Sequence, residues 1–199
     1  MPSHHSLFDF AREFIKNPRH TGAICPSSGF LARQMAALVP PGTGKVIELG
    51  PGSGPVTLAL LNQGIDPGDL ILVERTQSFA DYLKQRFPQI RVIRGDAGEL
   101  SALIGPLNEP IRAIVSSLPL RSMPKATVHK ISCEINKLAQ PGTRFIQFTY
   151  HLYDKNPPFT EPYAQSYTSN KGCIVWRNFP PARVDAFDKI AYPHPHHRS

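Results

Sequence analysis

The chain has 199 residues, of which 41% are hydrophobic and 19% charged, a composition that excludes a disordered chain and fits one globular domain. No apolar run approaches the length of a bilayer span, and no signal peptide precedes the first predicted helix, so we expect a soluble, cytoplasmic protein. Three scattered cysteines without metal-ligand spacing fit a reducing compartment. The net charge of +7 indicates an anionic partner, either nucleic acid or an anionic membrane, although a basic surface without a partner would give the same charge.

The N-terminal segment predicts an amphipathic helix over residues 6–16. Leu7, Phe10 and Phe14 recur at helical spacing, charged residues lie opposite them, and Pro18 ends the helix. This helix either packs on the domain or lies on a membrane surface. A second helix is predicted from about Ser28 to the Pro-Pro-Gly sequence at 40–42.

Beyond residue 44, short apolar strands alternate with helical stretches. The predicted strands are KVIEL (45–49), DLILVE (69–74), IRVIRGD (90–96), IRAIVSSL (111–118) and RFIQFTY (144–150). The last two apolar stretches, CIVWRNF and ARVDAFDKI, are joined by Pro-Pro and predict an antiparallel hairpin. We therefore predict a doubly wound α/β fold, with a mostly parallel, seven-stranded sheet that ends in that hairpin. The predicted divisions are the N-terminal helix (1–20), the α/β domain (21–192) and a disordered His-rich tail (193–199).

The strongest local signal is VIELGPGSGP, in which a strand delivers an acid and then three glycines at the start of a helix. Glu74 ends the next strand, where an acid can bind both ribose hydroxyls. The pair indicates an adenosine cofactor. The position of the third glycine of the dinucleotide fingerprint is Pro55, and no Gly-Lys-Ser/Thr follows, so neither a dinucleotide site nor a phosphate loop fits.

This arrangement resembles motif I of the class I S-adenosylmethionine-dependent methyltransferases. The resemblance implies S-adenosyl-L-methionine as cofactor and S-adenosyl-L-homocysteine as product. It places Glu74 on the ribose and Asp96 on the adenine amine, and it gives Ser27 or Ser28 to the cofactor carboxylate, although Ser28 could instead only cap its helix. The cofactor-binding residues that it implies are Ile24, Ser27, Ser28, Glu48, Gly50, Gly52, Gly54, Glu74, Arg75, Asp96, Ala97 and Ser116.

The stretch SSLPLRSMP (116–124) bears on the substrate, because in this fold the end of the fourth strand faces the methyl group. Enzymes that methylate nucleobase amines carry Asn or Asp, then Pro-Pro, then an aromatic residue there. Here Ser117 and Leu118 precede Pro119, and Leu120 follows it. A flat base would lose its amine acceptor and its stacking ring, whereas a flexible aliphatic amine would lose little.

With FIKNPRHTGAICPSS (14–28), IELGPGSGPVT (47–57) and VWRNFPPARV (175–184), this stretch resembles the bacterial phospholipid N-methyltransferases, which convert phosphatidylethanolamine stepwise towards phosphatidylcholine. The resemblance implies catalytic roles for Ser117 and Tyr150, and no metal. The substrate-binding residues that it implies are Arg19, His20, Leu118, Arg121, His151 and Tyr153. It further implies a monomer that lies peripherally on the inner face of the cytoplasmic membrane and binds a phospholipid substrate and an anionic membrane surface, with neither nucleic acid nor a protein partner expected.

Three other hypotheses remain open at this point. The substrate could be ornithine lipid or another lipid amine. The basic charge also fits an rRNA adenine dimethyltransferase, whose RNA binding would depend steeply on salt. A non-enzymatic membrane-coating module with a vestigial nucleotide fold would not bind S-adenosylmethionine at all.

Overall fold

The computed structural model describes residues 27–150, 152, 159, 163–170, 172–178 and 181–191. Its strands are β1 Lys45–Leu49, β2 Leu70–Glu74, β3 Arg91–Arg94, β4 Ile111–Ser116, β5 Arg144–Thr149, β6 Tyr167–Ser169, β7 Cys173–Val175 and β8 Ala182–Lys189. Its α-helices are α1 Ser27–Ala37, α2 Pro55–Asn62, α3 Gln77–Arg86, α4 Leu100–Ile104 and α5 Lys125–Leu138.

All the strands belong to one sheet with the order β3-β2-β1-β4-β5-β8-β6, and β7 also pairs with β8. The pairs among the first five strands are parallel, and β8 is antiparallel to β5. β6 pairs with residues 187–189 of β8 and β7 with residues 182–184, so the two short strands share one edge position. The sheet therefore has seven positions, and the predicted fold class is confirmed.

Apolar side chains cover both faces of the sheet, and this explains why the parallel strands read as continuous apolar runs. Successive residues of a strand point to opposite faces: Val46 packs in the core beneath α1 and α2, and Ile47 packs in the core beneath α4 and α5. Met35 and Leu60 fill the first core, and Ile131 fills the second. The loops after the strands therefore leave the sheet from a rigid support.

The sequence predicted all five parallel strands, but it predicted three of them too long at their carboxyl ends. The predicted strands ending at residues 96, 118 and 150 end at Arg94, Ser116 and Thr149. The residues beyond these ends turn away into the loops of one sheet edge. The helix α4 and the edge piece β6 were not predicted, because five and three residues are too few to establish a periodicity.

Some predictions fall on parts of the chain that the structure does not describe. These are the helix at residues 6–16 and the tail at 193–199. In the described ranges, no helix combines the length and the apolar character needed to cross a membrane. The same ranges contain no group of His, Cys, Asp and Glu side chains that could hold a metal ion.

Candidate functional site

The sheet order reverses between β1 and β4, and this reversal creates a crevice. The chain builds β1, β2 and β3 towards one side and β4 and β5 towards the other, so the loops after β1 and β4 diverge. A cavity of about 730 Å³ lies at this edge. Its wall is formed by Gly50, Gly52, Ser53, Val73, Glu74, Arg75, Thr76, Phe79, Gly95, Asp96, Ala97, Ser117, Leu118, Pro119, Ser122, Met123, Ile131, Phe148 and Tyr150.

All three glycines after β1 have a left-handed backbone, and at two of them a side chain would also clash with a neighbour. Gly50, Gly52 and Gly54 all have positive φ, at 68°, 57° and 84°. A Cβ on Gly50 would lie 2.6 Å from Leu118 Cδ2, and one on Gly54 would lie 2.9 Å from Phe87 Cε2. Apart from its two chain neighbours, no described residue has a heavy atom within 4 Å of a Cβ built on Gly52, so its backbone is open to the cavity. A ligand can therefore approach the main chain closely at Gly52.

Glu74 joins the end of β2 to this glycine loop. Its side chain is buried, with one oxygen accepting from the Gly52 N–H at 3.1 Å and the other from the Thr76 N–H at 2.7 Å. Each carboxylate oxygen has a second lone pair, so the group can accept further hydrogen bonds from a ligand's hydroxyls. The predicted ribose acid thus also positions the loop, a role that the sequence did not indicate.

Glu48 lies behind the loop rather than on the cavity wall. It is completely buried, and one of its oxygens accepts a 2.6 Å hydrogen bond from the Thr57 hydroxyl. The other oxygen has no hydrogen-bond partner in the described part of the chain. Burial is the main cause that raises the pKa of Glu48 to about 8; the Thr57 hydrogen bond opposes this rise, and the neighbouring Glu74 adds to it. At neutral pH the group is therefore mostly protonated, and its predicted contact with a cofactor stays a prediction.

Arg75 and Asp96 face each other across the wall beyond β2 and β3. Arg75 Nη1 lies 3.7 Å from Asp96 Oδ2, and the arginine side chain is 80% exposed. Asp96 Oδ1 accepts from the Gly98 N–H at 2.7 Å, which fixes the turn that starts at Ala97. One carboxylate oxygen thus holds the turn, and the other is exposed near a cation.

The wall after β4 is held in place by backbone and side-chain hydrogen bonds. The Ser117 N–H donates to the Leu49 carbonyl at 2.9 Å, which keeps the start of the loop against β1. The Gln147 amide donates to the Leu118 carbonyl at 2.8 Å. Leu118 therefore lies at a defined place between the glycine loop and β5.

The cavity is predominantly apolar around this loop. Leu118, Pro119, Met123 and Phe148 contribute carbon surface, and the Tyr150 ring meets Phe148 edge-on with centroids 5.6 Å apart. Sequence reasoning found Leu118 and Tyr150 but missed Phe148. The alternation of a strand could have found it, because Phe148 lies two residues before Tyr150 and so shares its face. Nothing in the local sequence indicates Met123 or Phe79, which come to the wall from separate elements.

The structure thus brings nine predicted site residues onto one wall. These are Gly50, Gly52, Glu74, Arg75, Asp96, Ala97, Ser117, Leu118 and Tyr150. Glu48, Gly54 and Ser116 lie behind the wall, and Arg121 is in the short 3₁₀ turn Leu120–Ser122 beside it. Ser27 and Ser28 begin α1, and their side-chain contacts stay predictions. Arg19, His20, Ile24, His151 and Tyr153 lie outside the described residues.

Known proteins resemble this chain both in sequence and in fold. No protein-family model matches it. An ornithine lipid N-methyltransferase from Singulisphaera acidiphila is 29% identical over 148 residues, which cover 72% of this chain and 77% of that protein. TrmN from Thermus thermophilus superposes with a TM-score of 0.62 at 16% identity over 83% of this chain, and this chain spans 52% of its length. A TehB-like SAM-dependent methyltransferase from Corynebacterium glutamicum superposes with a TM-score of 0.56 at 17% identity, covering 94% of this chain and all of that one.

This is the class I S-adenosylmethionine-dependent methyltransferase fold. The similarity covers 83% and 94% of this chain, so the expectation from the glycine loop is confirmed at the level of the fold. The cofactor prediction, S-adenosylmethionine, agrees with this fold, since the second of these structures is named a SAM-dependent methyltransferase. The sequence relative is named for ornithine lipid and not for phosphatidylethanolamine, so the chain has a distant lipid N-methyltransferase homologue and the narrower family stays a prediction.

Proposed function

We propose that this methyltransferase-fold chain transfers methyl groups from S-adenosylmethionine to a primary amine carried by a membrane lipid, with phosphatidylethanolamine as the substrate. The observation that carries the proposal is the wall after β4, where Ser117, Leu118 and Pro119 border the cavity. The distant homologue, named for the N-methylation of a lipid, supports the same class of substrate.

The residues of the wall fit the cofactor. The open backbone at Gly52 allows close approach, Glu74 can accept from ribose hydroxyls, and Asp96 with Ala97 suits the adenine. S-adenosylmethionine supplies an electrophilic methyl group on a sulfonium. The role of the protein is to bind this cofactor in one orientation beside the wall after β4.

The apolar wall suits an aliphatic amine for a reason beyond shape. Leu118, Met123 and Phe148 offer no acceptor to an ammonium ion, so desolvation favours the neutral amine whose lone pair attacks the methyl carbon. Bound S-adenosylmethionine would supply the methyl carbon: the nitrogen–carbon bond would form as the carbon–sulfur bond breaks with its electron pair going to sulfur, and the nitrogen would release a proton to water. The Tyr150 ring can contact the methylated ammonium by cation–π attraction, so a second and a third transfer are also possible.

Ornithine lipid is the second candidate substrate, because the sequence relative is named for it. Both lipids present a flexible primary amine, an anionic group and acyl chains. The described wall offers the same carbon surface to either amine. The choice between the two substrates therefore rests on a measurement.

A lipid substrate also supports a location for the enzyme. We propose that the chain lies peripherally on the inner face of the cytoplasmic membrane, with the segment 1–20 on the anionic surface. The net charge of +7 supports this, since basic residues near such a surface contribute about 1 kcal/mol each. A monomer is sufficient for this arrangement.

The test measures transfer of a labelled methyl group from S-adenosylmethionine into vesicles that contain phosphatidylethanolamine or ornithine lipid, beside a ribosomal RNA control. We expect label in phosphatidylethanolamine, with mono-, di- and trimethyl products separated by chromatography. Label in ornithine lipid alone would support the second candidate. Label in RNA alone would contradict both, and no binding of S-adenosylmethionine by calorimetry would favour a non-enzymatic module.

A pair of variants ties the activity to the cavity. Glu74→Gln removes the charge that accepts from the cofactor, and we expect the Kd for S-adenosylmethionine to rise about tenfold or more, since hydrogen bonds to charged groups contribute about 1.5–3 kcal/mol. Asp81→Asn removes a carboxylate of the same charge on α3, which hydrogen-bonds Gln77 and does not reach the wall. This control should leave the Kd unchanged.

A further inference from the structure

Trp176 is an exposed tryptophan outside the candidate active site. It is the single tryptophan of the chain, and it lies in the turn that follows β7. Its side chain is 67% exposed, more than any other large apolar side chain in the described ranges. Tryptophan combines a large apolar ring with a polar N–H, so it favours the boundary between water and an apolar phase.

Two arginines lie over the Phe30 ring, and one of them, Arg177, follows Trp176 directly in the chain. The Arg33 guanidinium lies 4.5 Å from the centroid of the Phe30 ring, and the Arg177 guanidinium lies 5.1 Å from the same centroid. Both arginines are exposed, and within the described part of the chain neither forms an ion pair with a carboxylate. The shared ring holds two like charges close together on the surface, which suits a dense anionic partner.

These residues lie near the carboxyl ends of the parallel strands, where the cavity also lies. Val175 pairs with Ala182 on β8, and the next residue of β8, Arg183, pairs with Thr149 at the end of β5. The turn containing Trp176 is therefore two strand spacings, about 10 Å, from the strand that leads into Tyr150. The carboxyl end of α1 meets the start of β5, where Arg144 donates to the Leu38 carbonyl, so the beginning of α1 with Phe30 lies at the cavity edge.

We propose that Phe30, Arg33, Trp176 and Arg177, together the Trp176 surface, dock on an anionic lipid bilayer and turn the mouth of the cavity towards the headgroups. The inference rests on the proposed function, since it assigns the face by which a lipid methyltransferase reaches its substrate. Tryptophan side chains favour the headgroup level of a bilayer, and the guanidinium group of arginine can donate two hydrogen bonds to one lipid phosphate. A bilayer fits better than a protein, because the surface offers one exposed ring and two charges and not the broad apolar patch of a stable interface.

The first test uses the fluorescence of the full-length chain, which reports on Trp176 alone. With vesicles of phosphatidylglycerol and phosphatidylcholine in equal parts, we expect the emission to shift to shorter wavelength and acrylamide quenching to decrease. Vesicles of phosphatidylcholine alone should give no shift. Sedimentation with anionic vesicles without any change in emission would overturn the proposal, as would a failure to sediment. A shift with RNA but not with vesicles would also overturn it and indicate a base that stacks on the ring.

The second test compares matched surface variants. Each arginine near an anionic surface contributes about 1 kcal/mol, which is about a fivefold change in partitioning. Replacing both Arg33 and Arg177 by Gln should therefore lower partitioning into anionic vesicles about 25-fold. Lys84→Gln and Tyr82→Ala are the controls, because both residues are exposed on α3, which packs against β2 and β3 at the opposite end of the strand order from β8. Equal losses in the controls would overturn the proposal.

The activity of Trp176→Ala separates failure of this inference from failure of the proposed function. On lipid dispersed in detergent micelles the variant should keep the rate of the unaltered chain, and on anionic vesicles it should lose several-fold. Equal rates on vesicles would overturn the docking role but not the proposed function. If the unaltered chain transfers no methyl group in either assay, the proposed function fails, and the emission shift still decides whether the Trp176 surface meets the bilayer.

Discussion

At the scale of single residues, Glu48 differs most from what its type suggests. An acid at the end of a buried strand predicts a ligand contact, yet its carboxyl is fully buried against the Thr57 hydroxyl. Burial raises its folded-state pKa to about 8, well above the usual value for an unfolded chain. At pH values below both the folded-state and the unfolded-state pKa, Glu48 is protonated in either state and does not make stability depend on pH. Between them, folding requires uptake of a proton, so this group makes the protein less stable as pH rises.

We predict that Glu48→Gln abolishes this part of the pH dependence. The contribution of Glu48 should lower the free energy of unfolding by up to about 1.4 kcal/mol per pH unit between pH 5 and 8, and the variant should show a flatter profile. The measurement is denaturant unfolding at several pH values. Glu99→Gln, at an exposed acid paired with Lys130, is the control and should keep the original slope. Identical slopes for Glu48→Gln and the unaltered chain would contradict a protonated Glu48.

At the scale of elements, the loops after β1 and β4 fit each other through Gly50 and Leu118. The Gly50 backbone has φ 68°, and a Cβ there would lie 2.6 Å from Leu118 Cδ2. Gln147 on β5 holds the Leu118 carbonyl, so the backbone of the leucine stays in place and only its side chain can move away. The glycine after β1 is therefore required by its own conformation and by the close approach of Leu118 in the wall after β4.

We predict that Gly50→Ala lowers the free energy of unfolding by more than the about 1–2 kcal/mol expected for a left-handed alanine. Gly64→Ala is the matched control, because Gly64 also has positive φ, 85°, with no atom near its would-be Cβ. Combining Gly50→Ala with Leu118→Ala should cost less than the sum of the two single changes, since the clash is then gone. If the losses in free energy of unfolding of the two single variants add up to that of the double variant, Leu118 does not clash with a side chain at position 50.

At the scale of the whole molecule, the net charge and the N-terminal segment bear on the proposed membrane binding. The chain carries +7, and the sequence predicts for residues 6–16 a helix with an apolar face and charged residues opposite. We predict that deleting residues 1–16 lowers sedimentation with anionic vesicles several-fold. Circular dichroism of the shortened chain is the control for folding. Unchanged sedimentation would mean that the helix only packs on the domain, and that the Trp176 surface accounts for vesicle binding.

Much of the architecture followed from local pattern. The strand Lys45–Leu49 was predicted residue for residue, because a short apolar run flanked by glycines is buried on both faces whatever its neighbours are. The positions of the glycine loop and Glu74 were predicted correctly, since the loop follows β1 directly and Glu74 is the last residue of β2. The edge position beside β8 was predicted only in part, because Tyr167–Ser169 forms a strand through pairing with a partner that lies far along the chain.

By itself, the sequence determined the alternation of strands and helices, the glycine turn after the first strand, and the acids at the ends of the next two strands. These depend on interactions between near neighbours in the chain. Only the tertiary structure decided that Glu48 lies behind the wall, that Gln147 positions Leu118, and that Trp176 shares an edge with Tyr150. Such contacts join residues that are distant in sequence, and burial and proximity between them arise only when the sheet order and the packing of both faces are complete.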